Sequence, residues 1–247
     1  MKIPSLVAHR GQMETYPENT LVGLEAALKC GATYIEFDVQ STADAVLVVL
    51  HDVELERVTG VVGNLFEMPF NLLESICVCE PDRFQKDEFS EPIPRLADIV
   101  ALLQRYPKAT AFVEIKDESV NRFGIEVICE QLLKEIKPIQ QQSVVISFHR
   151  EAIQYIKENS EFKTGYVLEK YDAQHHEFAR ELNPDFLIVN HTKLNKGKAP
   201  WAGSWEWMLY DITDPELCLE YAKDVSFIET RDVCSLLNHP LMAQKHE

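Results

Sequence analysis

Two histidines and three carboxylates have the types and spacing to do chemistry together. His9 follows the short apolar run 5–8 and is itself followed by Arg10 and Gly11. Glu36 and Asp38 stand two residues apart in the β-branched and aromatic run 33–39, and His51 follows a third apolar run, 46–50. Glu114 and Lys116 repeat the two-residue spacing. Strand side chains alternate, so each spaced pair shares one face, and two acids on one face repel unless something positive lies between them. Glu36, Asp38 and Glu114 are oxygen donors suited to a hard divalent cation such as Mg²⁺ or Ca²⁺ rather than to zinc. Such an ion would let the acids coexist and would polarise a phosphate oxygen or a hydroxyl. Arg10 has the planar donor geometry for phosphate oxygens and Lys116 adds a point charge. Two histidines flanking a phosphodiester can serve as general base and general acid, their ordinary pKa near 6.5 suiting both roles.

The elements that must position these residues form an alternating α/β pattern. Runs 5–8 and 33–39 read as strands. Between them Asn19 or Thr20 caps a helix with Leu21, Leu24 and Leu28 on its apolar face and Gly31 at its stop. This βαβ unit makes the two strands parallel. Run 46–50 follows too soon for a parallel crossover and must return antiparallel. A hairpin centred near Ala43 and Asp44 brings His51 opposite Glu36, to within a residue or two.

After residue 95 the alternation resumes. Leu96, Ile99, Val100 and Leu103 form one helix face; strands follow at 111–115, 144–148, 165–168, 186–189, 207–211 and 225–228, with helices between most of them. Asp214-Pro215 opens the last of these helices as cap and first residue. Setting aside the hairpin arm leaves eight strands joined by crossovers. The length of 247 residues suits a single TIM (β/α)8 barrel over 1–247 with a β-hairpin after strand 2. Residues 53–95, rich in Gly and Pro and holding Phe66, Phe70, Phe84 and Phe89, read as a small ordered insertion over the C-terminal mouth. Residues 190–204 have no helical period and run from Trp201 into Trp205 and Trp207. In such barrels the functional site gathers at the C-terminal strand ends, and His9, Glu36, Asp38, Glu114 and Lys116 all fall there, with His51 returned by the hairpin.

The ordered set His9-Arg10-Gly11, Pro17-Glu18-Asn19-Thr20, Glu36-Phe37-Asp38-Val39 and His51-Asp52, followed by Leu55, Arg57 and Thr59, resembles the glycerophosphodiester phosphodiesterases. Ile93-Pro94-Arg95-Leu96, Glu114-Ile115-Lys116 and Ser147-Phe148 extend the resemblance, which weakens after about residue 190. The resemblance implies an enzyme that converts deacylated phospholipids, such as glycerophosphocholine and glycerophosphoethanolamine, to glycerol 3-phosphate and an alcohol. It implies His9 and His51 as the acid/base pair, Glu36, Asp38 and Glu114 as metal ligands, and an insertion after the hairpin. Thr230-Arg231 departs from the family's usual Thr-Asp. Left open are which histidine is the acid, whether water or the glycerol hydroxyl attacks phosphorus, and which divalent metal serves.

With 24 basic and 40 acidic residues the net charge is −16, which argues against nucleic acid or an anionic membrane as partner and points to a small-molecule substrate. Self-association is left open. The start runs directly into the first strand, and no apolar run reaches membrane-spanning length, so the expected setting is cytoplasmic and the six scattered cysteines are expected to be reduced. Cys77 and Cys79 lack a second pair to complete a zinc site. His149 reads as a helix entry and His175, His176, His239 and His246 as solvated; His191 is left unassigned. Trp201, Trp205, Trp207 and Tyr210 read mainly as packing. Two rivals remain: a related barrel enzyme that cleaves lysophospholipids with a cyclic phosphate product, and a binding protein that holds a phosphorylated polyol without turnover.

Overall fold

The computed structural model describes residues 3–85, 87–194 and 199–242. In chain order the barrel half begins β1 (Ser5–Ala8), α1 (Leu21–Lys29), β2 (Tyr34–Ser41) and β3 (Leu47–Val49). The insertion contributes α2 (Glu56–Thr59), α3 (Phe70–Leu73), β4 (Cys77–Val78) and β5 (Glu91–Pro92). There follow α4 (Leu96–Gln104), β6 (Thr110–Ile115), α5 (Asp117–Phe123), α6 (Ile125–Ile136), β7 (Ser143–Ser147), α7 (Arg150–Asn159), β8 (Lys163–Val167) and α8 (Ala173–Leu182). The chain then runs through β9 (Phe186–Asn190), β10 (Glu206–Tyr210), α9 (Pro215–Tyr221), β11 (Phe227–Thr230) and α10 (Val233–Leu237).

Eight parallel strands pair in the order β1-β11-β10-β9-β8-β7-β6-β2, and β2 pairs back onto β1, with Val7 opposite Tyr34, so the sheet closes into the expected TIM barrel. Inward-facing residues (Val7, Phe112, Ile146, Val167, Phe186, Ile188, Met208, Phe227) fill the interior, while outward-facing ones such as Ile35, Phe37, Val113 and Leu187 pack under the helices. The first helix is capped by Thr20, whose hydroxyl accepts from Gly23 N at 3.2 Å; Asn19 is thereby free for another use. Asp214 caps α9 as its sequence predicts, accepting from Glu216 N and Leu217 N.

β3 returns antiparallel to β2 with Val39 opposite Val49 and Ser41 opposite Leu47. Continuing that register puts His51 level with Phe37, one residue from the expected position. That lies within the expected range, and Ala45 in the turn adopts the left-handed region, at φ 60°. Residues 53–95 build their own small core from Leu55, Val58, Leu65, Leu73, Val78 and Ile93, closed against Val48 and Leu50 of the hairpin. The insertion rests on the β1–α1 loop: Phe89 packs on Tyr16 at 5.8 Å, and the Arg83 guanidinium donates to the Met13 carbonyl.

Between β9 and β10 the described residues form only a 3₁₀ turn, His191–Lys193. Trp201 fills the space, sandwiched between Tyr171 (centroids 3.9 Å apart) and His176 (4.4 Å), with its carbonyl accepting from Trp207 Nε1. His176 is therefore packed rather than solvated, and His175 pairs with Asp172 at 2.7 Å with its side chain only 12% exposed. Apolar stacking against Trp201, invisible in a locally polar helix sequence, accounts for the correction at His176. His246 lies outside the described residues.

The cysteines require a second correction. Cys30 and Cys234, 204 residues apart and expected to be reduced, form a disulfide; Cys77, Cys79, Cys129 and Cys218 are free. The reason is topological: β1 pairs with β11, so the residue ending α1 and one in α10 meet at a Cα separation of 5.7 Å as the barrel closes. No helix among the described residues is long and apolar enough to cross a membrane.

Thiol titration in denaturant should return four free thiols before reduction and six after it; six at the outset would contradict the bridge. Gly11 has φ 88°, and a Cβ there would lie 2.6 Å from the Gly23 carbonyl carbon. Gly11→Ala should therefore lower the unfolding free energy by about 2–3 kcal/mol in a denaturant titration, backbone strain and overlap together.

Candidate active site

The barrel interior supplies the site by simple continuation. Val7, Tyr34, Phe112, Ile146, Met208 and Phe227 belong to the inner cluster. Two residues further along the same strands come His9, Glu36, Glu114, Phe148, Tyr210 and Glu229, and two more residues bring Asp38 and Lys116. Since side chains two apart share a face, the apolar filling gives way at the C-terminal mouth to a layer of acids and cations. A cleft of about 220 Å³ is lined there by His9, Arg10, His51, Glu114, Lys116, Tyr210, Asp211 and Glu229, with Ile146, Phe148, Val167 and Ile188 as its apolar wall. Glu36 and Asp38, 2% and 1% exposed, lie behind this lining, their oxygens within 4.8 Å of those of Glu114.

The seven residues singled out from the sequence thus come together. Carboxylate oxygens of Glu36, Asp38 and Glu114 all lie within 4.8 Å of one another. Lys116 Nζ bonds Glu114 Oε1 at 2.9 Å and lies 3.5 Å from Asp38 Oδ1. The left-handed turn at Arg10 (φ 52°) aims its own N–H at Glu36 Oε2, 3.1 Å away. Its guanidinium bonds Glu18 Oε1 at 2.9 Å and places Nε 3.1 Å from Asp38 Oδ2, close enough for ion pairing but without hydrogen-bond alignment. Asn19, released from capping, brackets Asp38: its Nδ2 donates to Oδ2 at 2.9 Å and its Oδ1 accepts from the Asp38 N–H at 3.2 Å. His51 Nδ1 is 2.5 Å from Asp52 Oδ1. His149 takes the helix-entry role, capping α7 through Ala152 N.

Glu229 is the residue that sequence reasoning missed. It is 4% exposed and its Oε1 lies 3.3 Å from His9 Nε2; His9, Glu36 and Glu229 form a second grouping with donor atoms within 4.8 Å. The signal was available in the period of two: the last strand ends at Thr230, not Ile228, and Glu229 follows the inward-facing Phe227 on the same face.

Four buried acids (Glu36, Asp38, Glu114, Glu229) therefore face two cations, Arg10 and Lys116, and the imbalance shows in their protonation. Burial, then the charge of Asp38, pushes the Glu114 carboxyl up to about 7 and raises Glu36 well above the usual carboxylate range. Burial and then Glu114 do the same to Glu229. Burial would raise Asp38 as well, but Arg10 and Lys116 outweigh it and hold Asp38 below the ordinary range. His9 is lowered to about 3 by burial and by the neighbouring Arg10, so its imidazole is neutral. Such a site has the charge deficit, the oxygen donors and the enclosed geometry to take a hard divalent cation.

Known proteins resemble this chain over much of its length. Over 149 residues, 60% of the chain, it is 32% identical to glycerophosphodiester phosphodiesterase 1 of Homo sapiens, covering 44% of that protein. Over 154 residues it is 33% identical to the glycerophosphodiester phosphodiesterase of Caldanaerobacter subterraneus subsp. tengcongensis, covering 61% of it. The chain thus spans about half the length of the curated relatives it matches. In fold it is similar to an Oleispira antarctica phosphodiesterase solved in complex with the product sn-glycerol-3-phosphate, with TM-score 0.79, 21% identity and 95% of each chain covered. Residues 9–208 match the glycerophosphoryl diester phosphodiesterase family, a segment that starts at His9 itself and takes in every site residue predicted above while leaving out Glu229. The chain belongs to the glycerophosphoryl diester phosphodiesterase family.

Proposed function

We propose that the protein is a metal-dependent hydrolase of glycerophosphodiesters, releasing glycerol 3-phosphate and an alcohol from small polar diesters such as glycerophosphocholine and glycerophosphoethanolamine. The observation that carries this reading is the meeting of His9 and His51 on one cleft whose base holds three carboxylates within 4.8 Å of one another. Family membership and the product-bound fold neighbour support it.

In this reading Glu36, Asp38 and Glu114 hold Mg²⁺ or Ca²⁺. The ion, when bound, supplies Lewis-acid polarisation of a phosphate oxygen or a glycerol hydroxyl. Lys116 compensates the acids beside it, and Arg10, with guanidinium protons beyond those taken by Glu18, presents donors to the phosphate. His9 and His51 act as the acid/base pair: one imidazole takes the proton of the attacking hydroxyl or water while the other gives a proton to the leaving alkoxide. Burial and Arg10 keep His9 neutral and weaken it as a base. The apolar wall of Ile146, Phe148, Val167 and Ile188 suits the carbon skeleton of a small alcohol.

One feature favours the lysophospholipid rival. Val61 and Val62, at the tip of the insertion, are 43% and 81% exposed, and the adjoining Gly60 lines a hollow that also contains Asp52, the neighbour of His51. Two valines are a small apolar surface, and the reading above takes precedence.

The direct test strips the protein with chelator and follows glycerol 3-phosphate release from both diesters, with Mg²⁺ or Ca²⁺ restored. Release that returns with metal and falls by at least about 10²-fold in His9→Ala and in His51→Ala is the expected result. Release indifferent to metal, or surviving either substitution, would overturn the mechanism. A silent wild type that still binds the diesters would make it a binding protein, and one that cleaves only a lysophospholipid would establish the rival.

A second test needs no turnover. Glu114 titrates near 7 in the metal-free fold against an ordinary 4.5, so between those values the folded state holds a proton that the unfolded chain has released. Stability from this source therefore falls as pH rises across that interval, and the raised Glu36 and Glu229 act in the same direction. His9, lowered to about 3, acts the opposite way up to about pH 6.5, but three raised acids outweigh one lowered imidazole. The Tm of metal-free protein should therefore drop between pH 5 and pH 8, less steeply in Glu114→Gln, and added divalent cation should raise Tm more at pH 8 than at pH 5. A metal-free Tm that climbs over this range, or a metal shift independent of pH, would contradict the account.

A further inference from the structure

Asp52 is only one residue from His51, yet its side chain is tied into a network that reaches the base of the site from another direction. Its Oδ1 lies 2.5 Å from His51 Nδ1, and its Oδ2 accepts from Arg57 Nε. Arg57, on the first helix of the insertion, grips Glu18 of the β1–α1 loop with both remaining arms, Nη1 to Oε2 at 2.9 Å and Nη2 to Oε1 at 2.7 Å. Glu18 Oε1 in turn accepts from Arg10, whose Nε stands beside Asp38. The path His51–Asp52–Arg57–Glu18–Arg10–Asp38 thus links the second histidine to a carboxylate at the base through alternating charges. Glu18 is 3% exposed, and the fork-to-carboxylate geometry leaves its partner little freedom.

Separately, the backbone of His51 is held by Gln40 Nε2, which donates to the His51 carbonyl at 3.0 Å. His51 lines the reaction cleft while Asp52 lines a neighbouring hollow, so the carboxylate approaches the imidazole from outside the cleft. A carboxylate at Nδ1 holds the ring in the Nδ1–H tautomer and leaves Nε2 as the nitrogen available to a substrate.

We propose that Asp52 is the positioning residue for His51, and that Arg57, anchored on Glu18, holds Asp52 in register, making the insertion part of the catalytic geometry rather than a cover over it. This rests on the phosphodiesterase reading for its kinetic consequences but not for its structural one. Loss of the carboxylate leaves the ring free to rotate and to change tautomer, which lowers the rate of proton transfer without removing any contact to the diester. The same logic makes Arg57→Met harmful in proportion to the freedom it gives Asp52, with Arg57→Lys recovering the charge but not the three-point grip.

The test has two arms. In steady-state kinetics Asp52→Ala should lower kcat on the order of 10²-fold with KM within about threefold, and Arg57→Met should lower kcat on the order of tenfold, partly recovered in Arg57→Lys. In ¹⁵N-histidine NMR at pH 8, with His51→Gln assigning the resonance, wild-type His51 should be the Nδ1–H tautomer and should move to Nε2–H or to a mixture in Asp52→Ala. A kcat within twofold of wild type, a loss confined to KM, or an unchanged tautomer would overturn the proposal. If wild type turns over no diester, the phosphodiesterase reading fails, and the NMR arm decides the positioning role alone. Asp52 is 28% exposed, so its truncation leaves the core intact; a Tm within a few degrees of wild type confirms that the variant compared is folded.

Discussion

The structure depends on a charge imbalance held out of water. At the mouth of the barrel Glu36, Asp38, Glu114 and Glu229 are all nearly fully buried, and Arg10 and Lys116 are the cations set among them. Burying a carboxylate costs several kcal/mol unless it is paired or protonated. Asp38 is paired on three sides, by Arg10, Lys116 and Asn19, and stays ionised. Glu36 and Glu229 answer the same cost by binding protons more tightly, and Glu114, although bonded to Lys116, is pushed up to about 7. A divalent cation would supply the missing two charges and release those protons. On this view the fold is built to accept an ion.

The barrel makes the imbalance possible at low cost in chain. Its interior is a column of apolar residues, and each strand needs only one further inward position to add a polar group to the top layer. Glu36, Glu114 and Glu229 arrive by the same step from Tyr34, Phe112 and Phe227. What the barrel does not supply is a second histidine at the same cleft. The hairpin after β2 does that, and the insertion that follows it packs on the β1–α1 loop, so that Arg57 and Glu18 meet across two segments far apart in sequence. Closing the barrel also brings Cys30 to Cys234, joining the first helix to the last.

Much of this was legible in the sequence because it depends on periods of two and on chain length. The pairing of Glu36 with Asp38, the shared face of Glu114 and Lys116, and the forced antiparallel return before His51 all follow from strand geometry. The register to the single residue, with Val39 opposite Val49, does not. Whether Asn19 or Thr20 caps the first helix is open in the sequence for a physical reason: either side chain can accept from an early helix N–H, and only the Thr20 hydroxyl on Gly23 N settles it, leaving Asn19 to clamp Asp38. Glu229 does not stand out because the apolar run stops at Ile228, two residues short of the strand's end. The packing of His176 and the disulfide both depend on contacts between segments that local polarity and compartment do not encode.

Calorimetric titration of the metal-free protein with Mg²⁺ and with Ca²⁺ asks whether the buried acids are an ion site at all. Saturable binding of at least one of these ions is expected, weakening as the pH is lowered from 8 to 6 and accompanied by proton release, and lost in Asp38→Asn and Glu114→Gln. Absence of binding to either ion at pH 8, or binding unaffected by both substitutions, would contradict an ion site there.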